Sequence, residues 1–351
     1  MSTRLISRRA ALKSALVATA GLATPALVGG SRAQGKNELV FVGFGGAYQE
    51  GQAKALFEPF EKETGIKIVQ TTGVEIAKLK AQVESKNLEW DIICLPDRLR
   101  APAVKDGLLE KLDYSRFSTT DLIKDTVTEY CCGAVTLAMQ LCYNPQAFGA
   151  AKMPSGWLDF WNTKDFPGRR ALYANPAYTL EFALIASGVP KDKLYPLDVE
   201  TALKALDVFK KDGVWWTQFP QVEQILSNKE AVMSPWTRGV TAQLAGKPIN
   251  VSYDGAAISY EGWVIPKGSK NYDNAMKFIA FATQPKPQAE LVKYISFGPS
   301  NNKALPLIDP NVGKLLPSDP ENYKKGFLFS GAYWGDNLAK VTERFNEWRV
   351  G

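Results

Sequence analysis

The sequence predicts an α/β protein of two lobes on one continuous chain, each lobe a mixed, largely parallel sheet flanked by helices. Three observations lead there. The first third of the chain alternates strand-like and helix-like segments, which implies a parallel sheet with right-handed crossovers. A second alternating region follows and gives way to a further strand–helix pair, so one lobe reads as inserted within the other. Finally, 351 residues that are 45% hydrophobic supply enough apolar surface for two cores.

Residues 1–33 stand outside that architecture. They combine a basic start, a stretch rich in Ala, Leu, Val and Gly, and a small-residue end suited to cleavage near Ala33. That is the layout of an export signal. Its apolar part, Ala15 to Val28, is too short for a bilayer core of ~30 Å, which needs ~20 helical residues. "SRRAALK", with Arg8 and Arg9, resembles a twin-arginine signal; a general secretory signal that carries Arg-Arg is the alternative. Either leads out of the cytoplasm, and the periplasm is the expected location. No cysteine at the end of this segment offers a lipid-anchor site.

The elements follow in order. "NELVFVGFGG" is a buried strand ending in glycines. "YQEGQAKALFEPFEKETG" places Ala53, Leu56, Phe57 and Phe60 on one helical face, with Gly65 as the stop. "IKIVQTTG" is a strand, "EIAKLKAQVESKN" a helix, "WDIICLP" a strand and "RAPAVKDGLLEKLD" a short helix closed by Gly107. "TLAMQLCYN" reads as a strand leaving the first lobe. Beyond it, "SGWLDFWN" is helical, "RRALYANP" a strand, and "YTLEFALIASG" and "DVETALKALDVFKKDG" are helices. "AVMSPWTRGVTAQLAG" combines strand, turn and helix, and "GWVIPKGSKNYDNAMKFIAFATQ" is a strand then a helix. A Pro-rich surface connection leads to a last amphipathic helix, "WGDNLAKVTERFNEW". The expected division is 36–141 with 263–310 for lobe 1, and 142–262 for lobe 2, to which 311–351 can be added.

Composition excludes several functions. The net charge of +6 includes Arg4, Arg8, Arg9, Lys13 and Arg32 of the signal, so the remainder is near +1 and offers no nucleic-acid surface. The chain has no histidine, which rules out Ser-His-Asp and Cys-His catalysis and His-ligated metal sites. Cys94, Cys131, Cys132 and Cys142 form no CxxC pair. Buried free thiols are the favoured reading, with a bridge from Cys142 to Cys131 or Cys132 left open. No cofactor, no metal and no enzymatic activity are expected, and the protein is expected to be a monomer.

At this point "GFGGAYQEGQAKALFEPFEKETGIKI", "WLDFWNTKDFPGRRAL", "NPAYTLEFALIASGVPKDKLYPLD" and "GWVIPKGSKNYDNAMKFIAF" carry a resemblance. The chain resembles the bacterial solute-binding proteins of ABC importers, in the spermidine/putrescine-binding family close to its GABA-binding branch. The resemblance implies a type II periplasmic-binding-protein fold, closing on one small ligand and delivering it to a membrane permease. The implied ligand is a polyamine such as putrescine or spermidine, or an amino-zwitterion such as GABA or an aminophosphonate. Two alternatives remain: a ferric-ion or other solute binder on the same fold, for which Tyr48, Tyr253 and Tyr260 could be recruited, and an enzyme on this scaffold.

Ligands of such lobes bind at strand carboxyl ends and domain interfaces. In "GFGGAYQ", Gly45 and Gly46 allow close backbone approach and Tyr48 offers a hydroxyl or a ring face, unless the segment is a plain turn. Asp97 is either a pocket carboxylate or a helix cap. By resemblance, Glu181 and Glu261 match amine-binding carboxylates; Glu181 could instead lie on a solvated face or in an ion pair. Trp236, Tyr260 and Trp263 are candidate aromatic faces for an ammonium. Ser259 stands where polyamine binders usually carry a tryptophan, which weakens a slot for a long methylene chain. Arg238 stands near where GABA-binding relatives carry an arginine for the ligand carboxylate, and a structural ion pair is the other reading of it. Glu261, set among apolar neighbours, is expected to meet a cation that the ligand brings.

Overall fold

The structure is a computed structural model that describes residues 37–149 and 152–351. The expected export signal lies outside the described residues. Among these, no helix is long and apolar enough to cross a membrane.

Eleven strands follow along the described chain: β1 (Glu38–Gly43), β2 (Lys67–Thr72), β3 (Ile92–Pro96), β4 (Val127–Thr128), β5 (Cys131–Tyr143), β6 (Ala171–Tyr173), β7 (Val214–Trp216), β8 (Met233–Trp236), β9 (Asn250–Val264), β10 (Gly298–Pro299) and β11 (Phe327–Leu328). The main sheet runs β10-β5-β9-β3-β1-β2, with β4 and β8 on β5 and β11 on β9. β1 pairs in parallel with β2 and β3, as the alternation of strands and helices predicts. β3 then meets β9 antiparallel, and β6 and β7 form a separate parallel pair. The sheet is therefore mixed.

The helix after β1 runs from Gly46 through a π-helical stretch, Ala53–Phe57, to Thr64. It stops where Gly65, at φ 70°, takes the left-handed conformation that costs a glycine little, its N–H bonding the carbonyl of Glu61. Ala55, Leu56, Phe57 and Phe60 are buried, so the face against the sheet is the apolar one.

Two long strands join the two halves. β5 is thirteen residues and β9 fifteen, and they pair from Cys132 to Tyr143 with irregularities at Gly133/Val135 and Met139/Leu141. Only the carboxyl half of each was expected as strand. The missing part of β5, Cys131 to Val135, is wholly apolar or small and lacks polar alternation. In β9, Asn250, Ser252 and Asp254 do alternate with Val251 and Tyr253, but the buried run Gly255 to Ile258 breaks that pattern. Along β5 the side chains change core. Cys132, Ala134 and Val135 pack with Phe41, Phe57, Trp263 and Phe278. Met139, Leu141 and Cys142 pack with Trp157, Phe182, Trp216 and the C-terminal Trp334, Phe345 and Trp348.

The second core holds a buried charge. Arg170 donates to the carbonyls of Phe160 at 2.7 Å, Gly168 at 2.6 Å and Phe166 at 2.6 Å. These bonds tie the loop after the helix Trp157–Trp161 to β6. Burial pushes the Arg170 guanidinium down to about 10.

Candidate functional site

The site forms where β9 passes between the cores. In its carboxyl half, Ser259 and Glu261 keep partial solvent access while Ile258, Tyr260, Gly262, Trp263 and Val264 are buried. Alternation along a strand puts Ser259 and Glu261 on one face and Tyr260 on the other. Antiparallel pairing sets Glu261 opposite Pro96 and Trp263 opposite Cys94. That register brings the Cys94 thiol to Oε2 of Glu261 at 3.6 Å and to the Tyr48 hydroxyl at 3.7 Å.

Glu261 is short of partners. Burial pushes its carboxyl up to about 7, and Cys94, Arg98 and Tyr48 offset only part of that. No ion pair to Glu261 forms among the described residues. Arg100, the other arginine at this end of β3, is paired with Asp97. Arg98 is exposed, forms no ion pair among the described residues, and acts on Glu261 through space.

The second core supplies the facing wall. β6 ends in Tyr173, and the helix Pro176–Ala186 follows, with the Asn175 side chain accepting from the Ala177 N–H at 3.0 Å. Tyr178 has φ 74°, a conformation a tyrosine adopts only under constraint. Its ring stacks on Phe329 with centroids 4.4 Å apart. Its hydroxyl reaches Ser259 and lies in the field of Arg98, as does that of Tyr173. One arginine thus faces two tyrosines from one wall and a carboxylate from the other. Together these residues offer one positive group, one negative group and two aromatic side chains.

Of the residues singled out from sequence, Tyr48 and Glu261 come together with Cys94 and Arg98. Gly45 and Gly46 stand at the head of the Tyr48 helix with φ 76° and 65°. The Gly45 N–H donates to the Gln49 side chain at 2.9 Å. Asp97 starts the helix Asp97–Lys105 and is held by Arg100, one turn on. Tyr260 points to the opposite face of the sheet, where Arg100 lies 4.4 Å from its ring centre. Trp263 is fully buried, with edge-on contacts to Phe41 and Phe278. Trp236 is buried at the end of β8, where it pairs with Gln140. Arg238 is exposed at the start of the helix Gly239–Leu244 and lines a separate groove with Glu223, Gln224 and Thr241.

Glu181 differs most from its expected setting. It is fully buried, neither on a solvated face nor in an ion pair. Its Oε1 accepts from Trp334 Nε1 at 2.6 Å and from the Tyr195 hydroxyl at 2.8 Å, while Oε2 has no partner. Burial pushes its carboxyl up to about 7.

Sequence reasoning missed Arg98, Tyr173 and Tyr178. Arg98 follows the expected strand end by two residues and was legible there; Tyr178, at the start of a predicted helix, gave no sign of its positive φ. Phe44, 49% exposed at the end of β1, is a further missed aromatic.

Comparison with known proteins adds to this geometry. Residues 55–322 match the family model described as bacterial extracellular solute-binding protein. A gamma-aminobutyric acid-binding protein of Pseudomonas aeruginosa is 34% identical over 322 residues, covering 88% of this chain and 90% of that one. A spermidine/putrescine-binding periplasmic protein of Escherichia coli is 25% identical over 311 residues, covering 84% and 86%. The solved structure of the Atu4243–GABA receptor superposes with a TM-score of 0.81 at 34% identity, covering 89% of this chain and 98% of that one.

Proposed function

Because this chain belongs to the bacterial extracellular solute-binding proteins and is a substrate-binding protein of an ABC transporter, we propose that its ligand is a small amino-zwitterion of the GABA type. The type II periplasmic-binding-protein fold and the relatives' periplasmic setting go with that role. One observation carries the ligand class: Arg98 and Glu261 act on one another through space, yet neither forms an ion pair among the described residues. A ligand with an ammonium at one end and a carboxylate at the other completes both.

Glu261 takes the ammonium through a charge-assisted hydrogen bond, with the Tyr48 hydroxyl beside it. Arg98 takes the carboxylate, a role its planar fork suits. Tyr173 and Tyr178 cover the methylene segment with their ring faces. A diamine would place its second cation against Arg98 and gain nothing from it, so this cleft discriminates against putrescine by like-charge repulsion. Glycines 45 and 46 leave the floor of the cleft open to backbone approach.

The two cores act as lobes that shut on the ligand, hinged where β5 and β9 change core, and the closed form is what the permease reads. Lobe 1 comprises residues up to about the middle of β5 together with the segment from the end of β9 to about residue 310, and lobe 2 the segment between together with the C-terminal helix, which packs in the second core. The protein works as a monomer without a cofactor and does no chemistry on its ligand. Export before folding is complete, or as a folded protein through the twin-arginine route, are the two ways to reach the periplasm. Isothermal titration of the purified protein with GABA, putrescine and spermidine tests the reading. It predicts GABA binding well ahead of both polyamines; a preference for either polyamine overturns it.

A further inference from the structure

We propose that Cys94 is a positioning residue for ligand binding, its thiol fixing the orientation of the Glu261 carboxylate that receives the ammonium. The inference rests on the zwitterion reading for its effect on affinity, though not for its effect on Glu261 itself.

Cys94 sits on β3 with 1% of its surface exposed, one strand over from Trp263 and diagonal to Glu261. A buried thiol is usually an apolar filler. This one contacts two polar groups that both belong to the cleft: Tyr48 Oη at 3.7 Å and Glu261 Oε2 at 3.6 Å. Burial and the neighbouring carboxylate push the thiol well up, so it keeps its proton. An ionised carboxylate only accepts, so the S–H donates to Glu261, and the Tyr48 hydroxyl donates to the sulfur. The three groups form a directed chain that ends on one carboxylate oxygen.

Although sulfur is a weak donor, its bond to Oε2 restricts rotation of the carboxylate. The carboxylate is nevertheless left largely unsatisfied, so an arriving ammonium is its main partner. The ionisable and charged groups that face Glu261 are Tyr48 from its helix, Cys94 from β3 and Arg98 from the helix that follows β3. Tyr48 is itself held protonated, first by burial and then by the neighbouring Glu261 carboxylate.

The test uses Cys94→Ala and Cys94→Ser, each also combined with Glu261→Gln. Unfolding stability is measured against pH without ligand, and the difference between each variant and its Glu261→Gln partner reports the titration of Glu261 alone. Any loss of packing at position 94 is common to both members of a pair and cancels. Cys94→Ala is expected to raise the midpoint of Glu261 and Cys94→Ser to hold it near or below the wild-type value. GABA affinity should fall about 5-fold in Cys94→Ala and recover in Cys94→Ser. A midpoint unmoved in Cys94→Ala overturns the proposal, whether or not GABA binds. A midpoint that moves in a protein that binds no GABA supports the positioning role and removes the ligand reading instead.

Discussion

Trp334 donates its indole N–H to Oε1 of Glu181 at 2.6 Å, and that bond fastens the C-terminal helix, Gly331–Val350, to the helix that carries Tyr178. The Tyr195 hydroxyl donates to the same oxygen and accepts from the Ser330 N–H at 3.1 Å. Glu181 is thereby a tie beneath the cleft wall. Its folded carboxyl titrates at about 7, above the ordinary 4.5, because it is buried. A folded state that holds its proton more tightly than the unfolded one is favoured at low pH. The stability contribution is complete below about 4.5 and is lost as pH rises through about 7, a change on the order of 3 kcal/mol at most. Glu181→Gln keeps an acceptor for both donors and should flatten the stability profile between these pH values, measured by urea unfolding at a series of pH. Glu181→Ala should cost about 2–4 kcal/mol at low pH by leaving both donors buried and unpaired, and less as pH rises through about 7.

The choice between arginines separates two ways of holding a carboxylate. Arg98→Ala should weaken GABA binding about 10- to 100-fold and reduce the disadvantage of putrescine, as titration calorimetry would show. Arg238→Ala should leave both unchanged, because Arg238 lies in another groove. Equal losses in the two variants would contradict the assignment of Arg98.

Arg170 answers to backbone carbonyls alone, with no carboxylate paired to it among the described residues. Arg170→Met should cost about 3–5 kcal/mol of unfolding stability, since it strands at least three carbonyls in a dry core. Denaturant midpoints would register the loss, and ligand affinity measured on the folded fraction should be unaltered.

Cys94, Cys131, Cys132 and Cys142 are all free and buried. Burial pushes each thiol up, so none reacts readily as a thiolate in the folded protein. A disulfide-exchange reagent should find four thiols in unfolded protein and almost none in folded protein, and reducing agent should leave the melting temperature unchanged. Fewer than four thiols after unfolding would reveal a bridge.

Much of the architecture was legible because its signals are local. The apolar face through Leu56, Phe57 and Phe60 marks the first helix, and Gly65 marks its end. β5 and β9 were under-read because residues such as Cys132, Ala134, Ala256 and Ala257 are buried on both sides, which erases alternation. Glu261 was legible as a carboxylate in apolar company, and its fit to Tyr48 follows from the first glycine-rich turn. Glu181 was misplaced because its partners, Tyr195 and Trp334, stand 14 and 153 residues away and only the fold brings them to it. Tyr260 and Trp263 flank Glu261 in sequence, but the two-residue period of β9 sends Tyr260 to the far face, and Trp263 lies deeper than the cleft.

Glu261 is the unsatisfied anion that a ligand ammonium completes. GABA titration across pH 5.5 to 8.5, in wild type and in Glu261→Gln, tests it most directly. Since the ionised carboxylate is the binding form and its folded midpoint is about 7, wild-type affinity should rise through neutral pH and level off above it. Glu261→Gln should bind about 10- to 100-fold more weakly at pH 8.5 and show no such rise. Wild-type affinity that is flat across this range, or equal in the two proteins at pH 8.5, would contradict the account.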